Sequence, residues 1–243
     1  MRKLLCICIC AMLLNKTKAQ EEYSFLPDKT LKWTPVSLLT GSLALQGEWN
    51  LKNQHSFTAK IGLPLTLSPS VSYHQRSVAL SIKTTSFLAG FRSYLSDRNI
   101  SGFYLEPFFN YVNHNNKGTG NGYVLNERVD FDYDNHYESA GVGVQLGVQY
   151  LIKNRWVIDV YFLGPEFSTT SASFMAVETT NELPWNPEQA ADVVRQARNV
   201  IRRLPFLNNK VELMVDNDKR TITGNYIGIL PGIRTGISVG IAF

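Results

Sequence analysis

The last eleven residues of the chain, 233–243, read IRTGISVGIAF. Apolar or β-branched side chains occupy every second position, at Ile233, Thr235, Ile237, Val239, Ile241 and Phe243. The positions between them are small or polar, namely Arg234, Gly236, Ser238, Gly240 and Ala242. A repeat of two residues is the period of a β-strand, whose successive side chains point to opposite faces. The segment therefore predicts a strand with one apolar face and one small or polar face.

The same alternation recurs in six earlier segments, at 42–50, 56–63, 85–95, 102–113, 139–151 and 156–162. Residues 30–39 supply an eighth strand, with Thr40 and Gly41 as a tight turn after it, although Pro35 is awkward in a fully paired strand. The connections alternate between short segments (51–54, 96–101, 152–155) and long ones (66–84, 114–138, 168–228). Short turns on one side and long loops on the other are typical of outer-membrane barrels. The sequence thus predicts an all-β fold, an eight-stranded antiparallel transmembrane β-barrel.

The two faces of these strands differ in chemistry. One face is apolar and carries aromatic residues near the strand ends, at Trp49, Tyr150 and Trp156, as the lipid-facing side of a barrel does. The other face carries three acids and three bases: Glu48, Lys60, Arg92, Glu106, Asp159 and Arg234. An eight-stranded barrel has room inside only for side chains, so these charges are expected to pair within a closed interior. The alternative is a soluble β-sandwich, with the same residues on its solvent face.

The N-terminus predicts export. A basic start precedes the apolar run Leu4–Leu14, and Thr17 and Ala19 are the small residues of a cleavage site, so residues 1–19 are expected to be a signal peptide and 20–243 the mature barrel. Cleavage removes Arg2, Lys3, Lys16 and Lys18, which lowers the 24 Lys and Arg residues to 20, equal to the 20 Asp and Glu residues. A neutral mature chain gives no support for a nucleic-acid partner. Thiol chemistry is excluded as well, because the three cysteines also lie in the removed segment: Cys6, Cys8 and Cys10.

Candidate catalytic or metal-binding residues are few. His114 and His136 flank one long loop and could meet there, and Asp130, Asp132 and Asp134 lie between them. The acidic run fails as a calcium loop, because its sixth position is not glycine and its twelfth is not glutamate. Its alternation with apolar residues favours a strand above the membrane. We therefore expect no enzymatic activity, no cofactor and no metal. Separately, the Asn- and Gly-rich stretch 113–122 predicts turns.

The last long connection, the insertion 168–228, contains a predicted helix. Asn186, Pro187 and Gln189 form a helix start, apolar residues recur at helical spacing to Leu204, and a hairpin follows at 211–223. Arginines gather in the C-terminal half of the helix, at Arg195, Arg198 and Arg202. They either complement the helix dipole or bind anionic lipid headgroups or an acidic partner on the outside of the cell.

The terminal strand carries a further pattern, a polar residue, a glycine and two apolar positions before a final aromatic: Arg234, Gly236, Val239, Ile241 and Phe243. This pattern has the form of the assembly signal of outer-membrane barrels. Over residues 30–166 and 229–243 the chain resembles the small outer-membrane β-barrel proteins of Gram-negative bacteria. In particular, it resembles an uncharacterised eight-stranded group that begins with a Lys/Thr-rich strand like 31–39 and continues, after a tight turn, with a strand like 43–49 that carries an inward glutamate, here Glu48.

The resemblance implies an outer-membrane location, with lipid and the barrel-assembly machinery as partners, and it brings no catalytic motif. Two functions remain open. In the first, the barrel is a non-enzymatic anchor whose external loops bind a ligand, a surface lipid or an envelope protein. In the second, the protein is a transport or secretion component of the outer membrane.

Overall fold

The computed structural model describes residues 27–68, 70–73, 76–96, 100–204, 206–207 and 210–243, so the predicted signal peptide lies outside the described residues. The described chain is almost entirely β-structure. Its strands are β1 (Lys29–Thr34), β2 (Ser42–Lys52), β3 (His55–Pro64), β4 (Ser70–Tyr73), β5 (Arg76–Tyr94), β6 (Gly102–Val124), β7 (Glu127–Ile152), β8 (Trp156–Glu178), β9 (Glu212–Asp216) and β10 (Thr221–Ala242). One α-helix, α1 (Pro187–Arg202), lies between β8 and β9.

Eight of the described strands close into a barrel. Antiparallel pairing follows the order β1-β2-β3-β5-β6-β7-β8-β10, and β10 pairs with β1, so that Lys32 lies opposite Gly240. The short strands β4 and β9 pair with β5 and β10 beside this ring. The predicted eight-stranded antiparallel barrel is therefore confirmed. Closure leaves no unpaired edge around the ring, which is the condition for β-structure to cross a lipid bilayer.

The first strand is shorter than the prediction of 30–39. β1 ends at Thr34, and Pro35–Thr40 forms a 3-10 helix that ends at Gly41. Proline lacks the N–H that a paired strand needs, so the ladder stops where Pro35 begins. Gly41 has a φ of +70°, and a Cβ there would lie 2.9 Å from the carbonyl carbon of Ile82, so only glycine fits this position.

The prediction of long loops at 66–84 and 114–138 is wrong. Most of the first is β4 and the start of β5, and most of the second is the end of β6 and the start of β7. The stretch 113–122, predicted to form turns, is strand, and the hairpin turn is Leu125–Asn126, where both residues have positive φ values of 50° and 70°. Asn and Gly residues predominate in this stretch. The strand signal fails there because these residues give no alternation of apolar and polar side chains.

The outer surface of the ring is apolar around its lower half, where the short turns lie. Exposed side chains form a belt there that includes Leu31, Trp49, Phe103, Val142, Val144, Tyr150, Trp156, Phe167 and Ile241. The opposite face of the same strands is buried and rich in charged residues. Apolar groups outside and charges inside are the arrangement of a membrane barrel and the reverse of a soluble sandwich. No helix in the described part of the chain is long and apolar enough to cross a membrane.

Strands β5 to β8 and β10 continue beyond the belt as an extramembrane sheet, while β1 to β3 end near it. The predicted helix and hairpin are confirmed: Asn186 and Gln189 form a reciprocal capping box at the start of α1, and β9 pairs with β10. Helix α1 packs on the sheet face that continues the barrel interior. The two share an apolar core of Val124, Val129, Phe131, Ala176, Trp185, Val193 and Ile222. β8 ends at Glu178 and β10 begins at Thr221. Only residues 179–220 of the predicted insertion 168–228 therefore lie outside these two strands.

Candidate functional sites

A network of charged side chains fills the lower barrel interior. Lys32 Nζ lies 2.9 Å from Glu48 Oε2 and 2.8 Å from Asp159 Oδ2, and it also donates to Gln149 Oε1 at 2.6 Å. Glu48 accepts further hydrogen bonds from the hydroxyls of Ser56 and Tyr94, at 2.6 and 2.5 Å. The ion-paired side chains are fully shielded from solvent. The network therefore fills the barrel at this level with ion-paired groups, three carboxylates and two cations.

Arg92 lies at the centre of this network. Its Nε and Nη2 donate to Glu106 Oε2 at 2.9 and 2.7 Å, and its Nη1 donates to Asp159 Oδ2 at 3.0 Å. Its guanidinium group stacks 3.7 Å from the centre of the Tyr104 ring, and the Tyr104 hydroxyl donates to Asp159 Oδ1 at 2.7 Å. Because Glu48 Oε2 also lies 3.6 Å from Nη1, Arg92 connects three carboxylates from different strands across the interior.

Two of the six predicted interior charges lie above this network. Lys60 Nζ is 3.4 Å from the Tyr161 hydroxyl, and the Arg234 guanidinium is 4.8 Å from the centre of the Phe108 ring. Neither cation has a carboxylate within ion-pair distance among the described residues. The expectation that all six charges pair is therefore wrong for Lys60 and Arg234, while Glu48, Arg92, Glu106 and Asp159 do pair.

Sequence reasoning missed Lys32, the second cation of the network. Its signal was present, because Leu31 and Trp33 face outward and place Thr30, Lys32 and Thr34 on the inward side of β1. Alternation in β1 is short, because it covers only six residues before Pro35, and this makes Lys32 harder to place than the charges of the longer strands.

The terminal-strand residues take the faces that the alternation predicts. Val239, Ile241 and Phe243 are exposed on the apolar belt, while Arg234 and Gly236 face inward. The backbone of Phe243 closes the seam with the first strand, since its N–H donates to Lys29 O at 3.0 Å and its carbonyl accepts from the Lys29 N–H at 3.0 Å.

The two candidate histidines do not meet. His114 faces inward and contacts Tyr137, with ring centres 5.6 Å apart and ring planes tilted by 49°, whereas His136 faces outward and forms a hydrogen bond with Asn115 at 2.7 Å. The expectation that they could meet is wrong, because the register sets them on opposite faces of the sheet. The acidic run lies in β7, as the strand interpretation predicts, and Asp134 pairs with Lys117 at 2.8 Å. The described part of the chain contains no group of three or more His, Cys, Asp or Glu residues that could hold a metal.

A second buried ion pair fixes the extramembrane part. Glu178 accepts from Arg220 Nη2 at 2.5 Å and from Trp185 Nε1 at 2.6 Å, and Arg220 Nη1 also donates to the Leu183 carbonyl at 2.6 Å. These contacts join the ends of β8 and β10 to the segment that leads into α1. The start of the helix is therefore held in place by polar contacts as well as by the apolar core.

Asp192 ties the helix to the tip of the β6–β7 hairpin. Its Oδ2 accepts from the backbone N–H of Leu125 at 2.9 Å and from Gln196 Nε2 at 2.9 Å, and Arg195 is its ion-pair partner. The hydrogen bond from Leu125, followed by those from Gln196 and Arg195, lowers the pKa of the Asp192 carboxyl from its ordinary value. The charged carboxylate is therefore the form that stabilises the docked helix.

Acidification should loosen this helix. Because the folded pKa of Asp192 lies below the unfolded value of about 3.9, its stabilising contribution is complete above that value and is lost as pH falls through the folded pKa. Hydrogen-exchange protection factors for residues 187–202 should fall as the pH is lowered below about 4. Asp192→Asn should remove this part of the pH dependence, and equal pH dependence in the native and variant chains would contradict the assignment.

The three predicted anion-binding arginines differ in their surroundings. Arg195 is paired with Asp192. Arg198 and Arg202 are exposed and have no carboxylate partner among the described residues. All three line an open groove between α1 and β9. The expectation of three available cations is therefore reduced to Arg198 and Arg202, because Asp192 already neutralises Arg195.

An apolar cavity of about 380 Å³ lies between the C-terminal half of α1 and the sheet. Its walls come from the helix, from the segment that follows it and from four strands, β7 to β10. They include Tyr137, Phe174, Ala197, Val200, Ile201, Leu207, Val211, Leu213, Gly224 and Tyr226. A smaller cavity of about 210 Å³ adjoins it and shares Phe174, Ala197 and Val200. Sequence reasoning did not find these cavities, because they depend on how the helix docks.

No family model matches the chain, and no curated protein matches it. Among solved structures, the crystal structure of Acinetobacter baumannii CarO is similar to this chain, with 13% sequence identity and a TM-score of 0.43. The alignment covers 92% of this chain and 100% of CarO. A likeness at this level carries no argument about function, so the interpretation rests on the residues and contacts described above.

Proposed function

We propose that the protein is an outer-membrane protein without enzymatic activity, in which the barrel anchors an extramembrane ligand-binding unit. The observation that carries the proposal is the division of the molecule into two parts. Inside the belt, paired charges fill the barrel at the level of Arg92. Outside the belt, α1 and the extended sheet share a separate apolar core, which barrel closure does not require. Export through cleavage of residues 1–19 belongs to the same proposal.

Conductance tests the anchor part of the proposal. An interior filled by side chains leaves no continuous aqueous path, so the reconstituted protein should conduct weakly or not at all. The measurement is single-channel recording in planar bilayers, with heat-dependent gel migration as the check that the protein has folded. A stable large conductance would rule out a closed anchor.

A transport or secretion component is the second candidate function. The observation in its favour is the set of buried polar atoms without a hydrogen-bond partner above the charge network, which includes Gln145 Oε1, Glu166 Oε2 and Arg234 Nη1. Such groups are destabilising unless water or a solute binds them. A conductance that depends on Arg234 would favour this second function over the anchor.

We further propose that the extramembrane unit faces the outside of the cell, where Arg198 and Arg202 meet anionic lipid headgroups or an acidic partner. Cysteine labelling tests the orientation, because the only cysteines lie in residues 1–19. A cysteine at Arg198 should react in intact cells, and one at Lys153, in a turn at the opposite end of the barrel, should react only after the outer membrane is permeabilised. The reverse pattern would invert the topology.

The terminal-strand pattern makes the barrel-assembly machinery the proposed partner during insertion. Val239, Ile241 and Phe243 present an exposed apolar row on the outward face of the last strand. This row supports recognition of the strand before the barrel closes.

A further inference from the structure

The apolar cavity beneath α1 is a feature of the extramembrane unit that the barrel and its anchoring do not explain. None of its lining residues is Asp, Glu, Lys or Arg, and the Tyr226 hydroxyl already donates to the Ile229 carbonyl at 3.2 Å. A volume of about 380 Å³ falls in the range of small-molecule sites, whose walls are mostly apolar with a few polar groups that fix orientation. The cavity therefore has the size and lining of a binding site for an apolar molecule.

The cavity exists because only part of the apolar side of α1 packs against the sheet. Val193, near the start of this side, is 7% exposed in the shared core, whereas Val200, two turns later, is 62% exposed and lines the cavity. Leu204 continues the exposed part. Exposed apolar side chains around a concave space are typical of ligand-binding surfaces. The C-terminal half of α1 thus forms one wall of a site that an apolar occupant would complete.

One polar side chain in the lining provides a hydrogen-bond acceptor that would orient a ligand in the cavity. Asn135 lines it, and the Oδ1 atom of Asn135 is buried without a hydrogen-bond partner. Asn116 lies directly opposite Asn135 in the β6–β7 register, and its Oδ1 atom is also buried and unpaired. Both oxygens are acceptors, so a matching ligand must supply a donor, such as a hydroxyl or an amide N–H.

The position of the cavity separates it from the membrane lipid. The cavity lies on the inward face of the sheet, beneath α1, whereas lipid contacts the outward face. The occupant must therefore be a free molecule and not the acyl chain of a bilayer phospholipid.

We propose that this cavity binds a free long-chain amphiphile, with its alkyl chain against Phe174, Ala197 and Val200 and a hydroxyl or amide donor bonded to Asn135. This inference rests on the proposed ligand-binding role and names the chemical class of the ligand. The two can fail separately, because conductance and topology test the anchor while the experiment below tests only the cavity.

Photolabelling in phosphatidylcholine vesicles tests the proposal. The probe is a long-chain alcohol with a diazirine in its chain, and labelled peptides are mapped by mass spectrometry. The alcohol should label both the belt around Val142 and the cavity wall at Ala197 and Gly224. A phospholipid with the same diazirine should label the belt alone. Belt labelling shows in every sample that the barrel is inserted, so confinement of all labelling to the belt overturns the proposal.

Variants separate the two parts of the site. Ala197→Phe fills the cavity and should abolish wall labelling, while Ala191→Phe, the same change on an exposed helix position, should leave it intact. If Ala197→Phe does not show the folded, unheated gel mobility, Gly224→Leu replaces it, because Gly224 lies against Leu213 and Phe174 in the same cavity. Wall labelling that persists in a folded filled variant contradicts the proposal.

The hydroxyl contact has its own measurement. In the native chain the alcohol should label the wall about three- to tenfold more than an alkane of equal length, the preference expected from one hydrogen bond. Asn135→Leu should reduce this ratio to about one, because leucine offers no acceptor. An equal ratio in the native chain and in Asn135→Leu would rule out Asn135 as the polar contact.

Discussion

Replacement of Arg92 by methionine should destabilise the barrel by about 3–5 kcal/mol, the usual cost of removing one partner from a buried ion pair. Arg92 is the only cation within ion-pair distance of Glu106 among the described residues, and it also compensates Asp159. Without it, Glu106 stays buried and uncompensated. The free energy of unfolding of the refolded barrel, from urea titration in lipid vesicles, measures the loss.

Lys60→Met provides the matched control. Lys60 is also a buried interior cation, 7% exposed, but it pairs with the Tyr161 hydroxyl and not with a carboxylate among the described residues. Its removal should cost about 1 kcal/mol or less, the value of one ordinary hydrogen bond. Equal losses in both variants would mean that side-chain packing, and not charge compensation, holds the interior together.

The double variant Arg92→Met/Glu106→Gln tests the pairing directly. Neutral glutamine carries no buried charge, and its amide oxygen can still accept one of the two hydrogen bonds that Thr58 and Gln145 donate to Glu106. It should therefore recover part of the loss, on the order of 1–3 kcal/mol of coupling between residues in contact. If the two losses simply add, Arg92 and Glu106 do not act as a pair.

The barrel itself could be predicted from the sequence because its strands separate an apolar face from a polar one. Lipid on one side and packed side chains on the other impose that separation, so the alternation is strong at 139–151 and 233–243. Above the belt both sheet faces are free of lipid, and the constraint disappears. The strands continue through 113–124 as a backbone hydrogen-bonded ladder, and no alternation of apolar and polar side chains reveals them.

The site was less predictable than the fold, for two physical reasons. Inward positions follow from alternation, but ion pairing depends on register across strands that are far apart in sequence. Lys32 and Asp159, 127 residues apart, meet only because β8 and β1 both pair with β10. The cavity depends in turn on the angle at which α1 docks, and neither the capping box nor the amphipathic stripe determines that angle.

Substitution of Gly240 by alanine should prevent the barrel from closing. Gly240 lies opposite Lys32 where β10 meets β1, and a Cβ there would overlap the carbonyl oxygen of Leu31 and lie 2.6 Å from Lys32 Cα. Both atoms belong to backbone, so no side-chain rotation relieves the overlap. An unclosed seam leaves unpaired N–H and C=O groups in lipid, each costing several kcal/mol. We expect refolding in vesicles to give no species with shifted unheated gel mobility.

Two other glycines of β10 provide controls for Gly240→Ala. A Cβ at Gly224 would meet the end of the Leu213 side chain at 3.2 Å, so Gly224→Ala should close normally. A Cβ at Gly236, the glycine of the predicted assembly signal, would meet the hydroxyl end of the Tyr161 side chain, which can move. In refolding without assembly machinery, Gly236→Ala should therefore be milder than Gly240→Ala, although a recognition signal would make Gly236 the more sensitive position in cells. Normal refolding of Gly240→Ala would contradict the β1–β10 seam, whereas a defect of Gly236→Ala confined to cells would separate recognition of the strand from closure of the barrel.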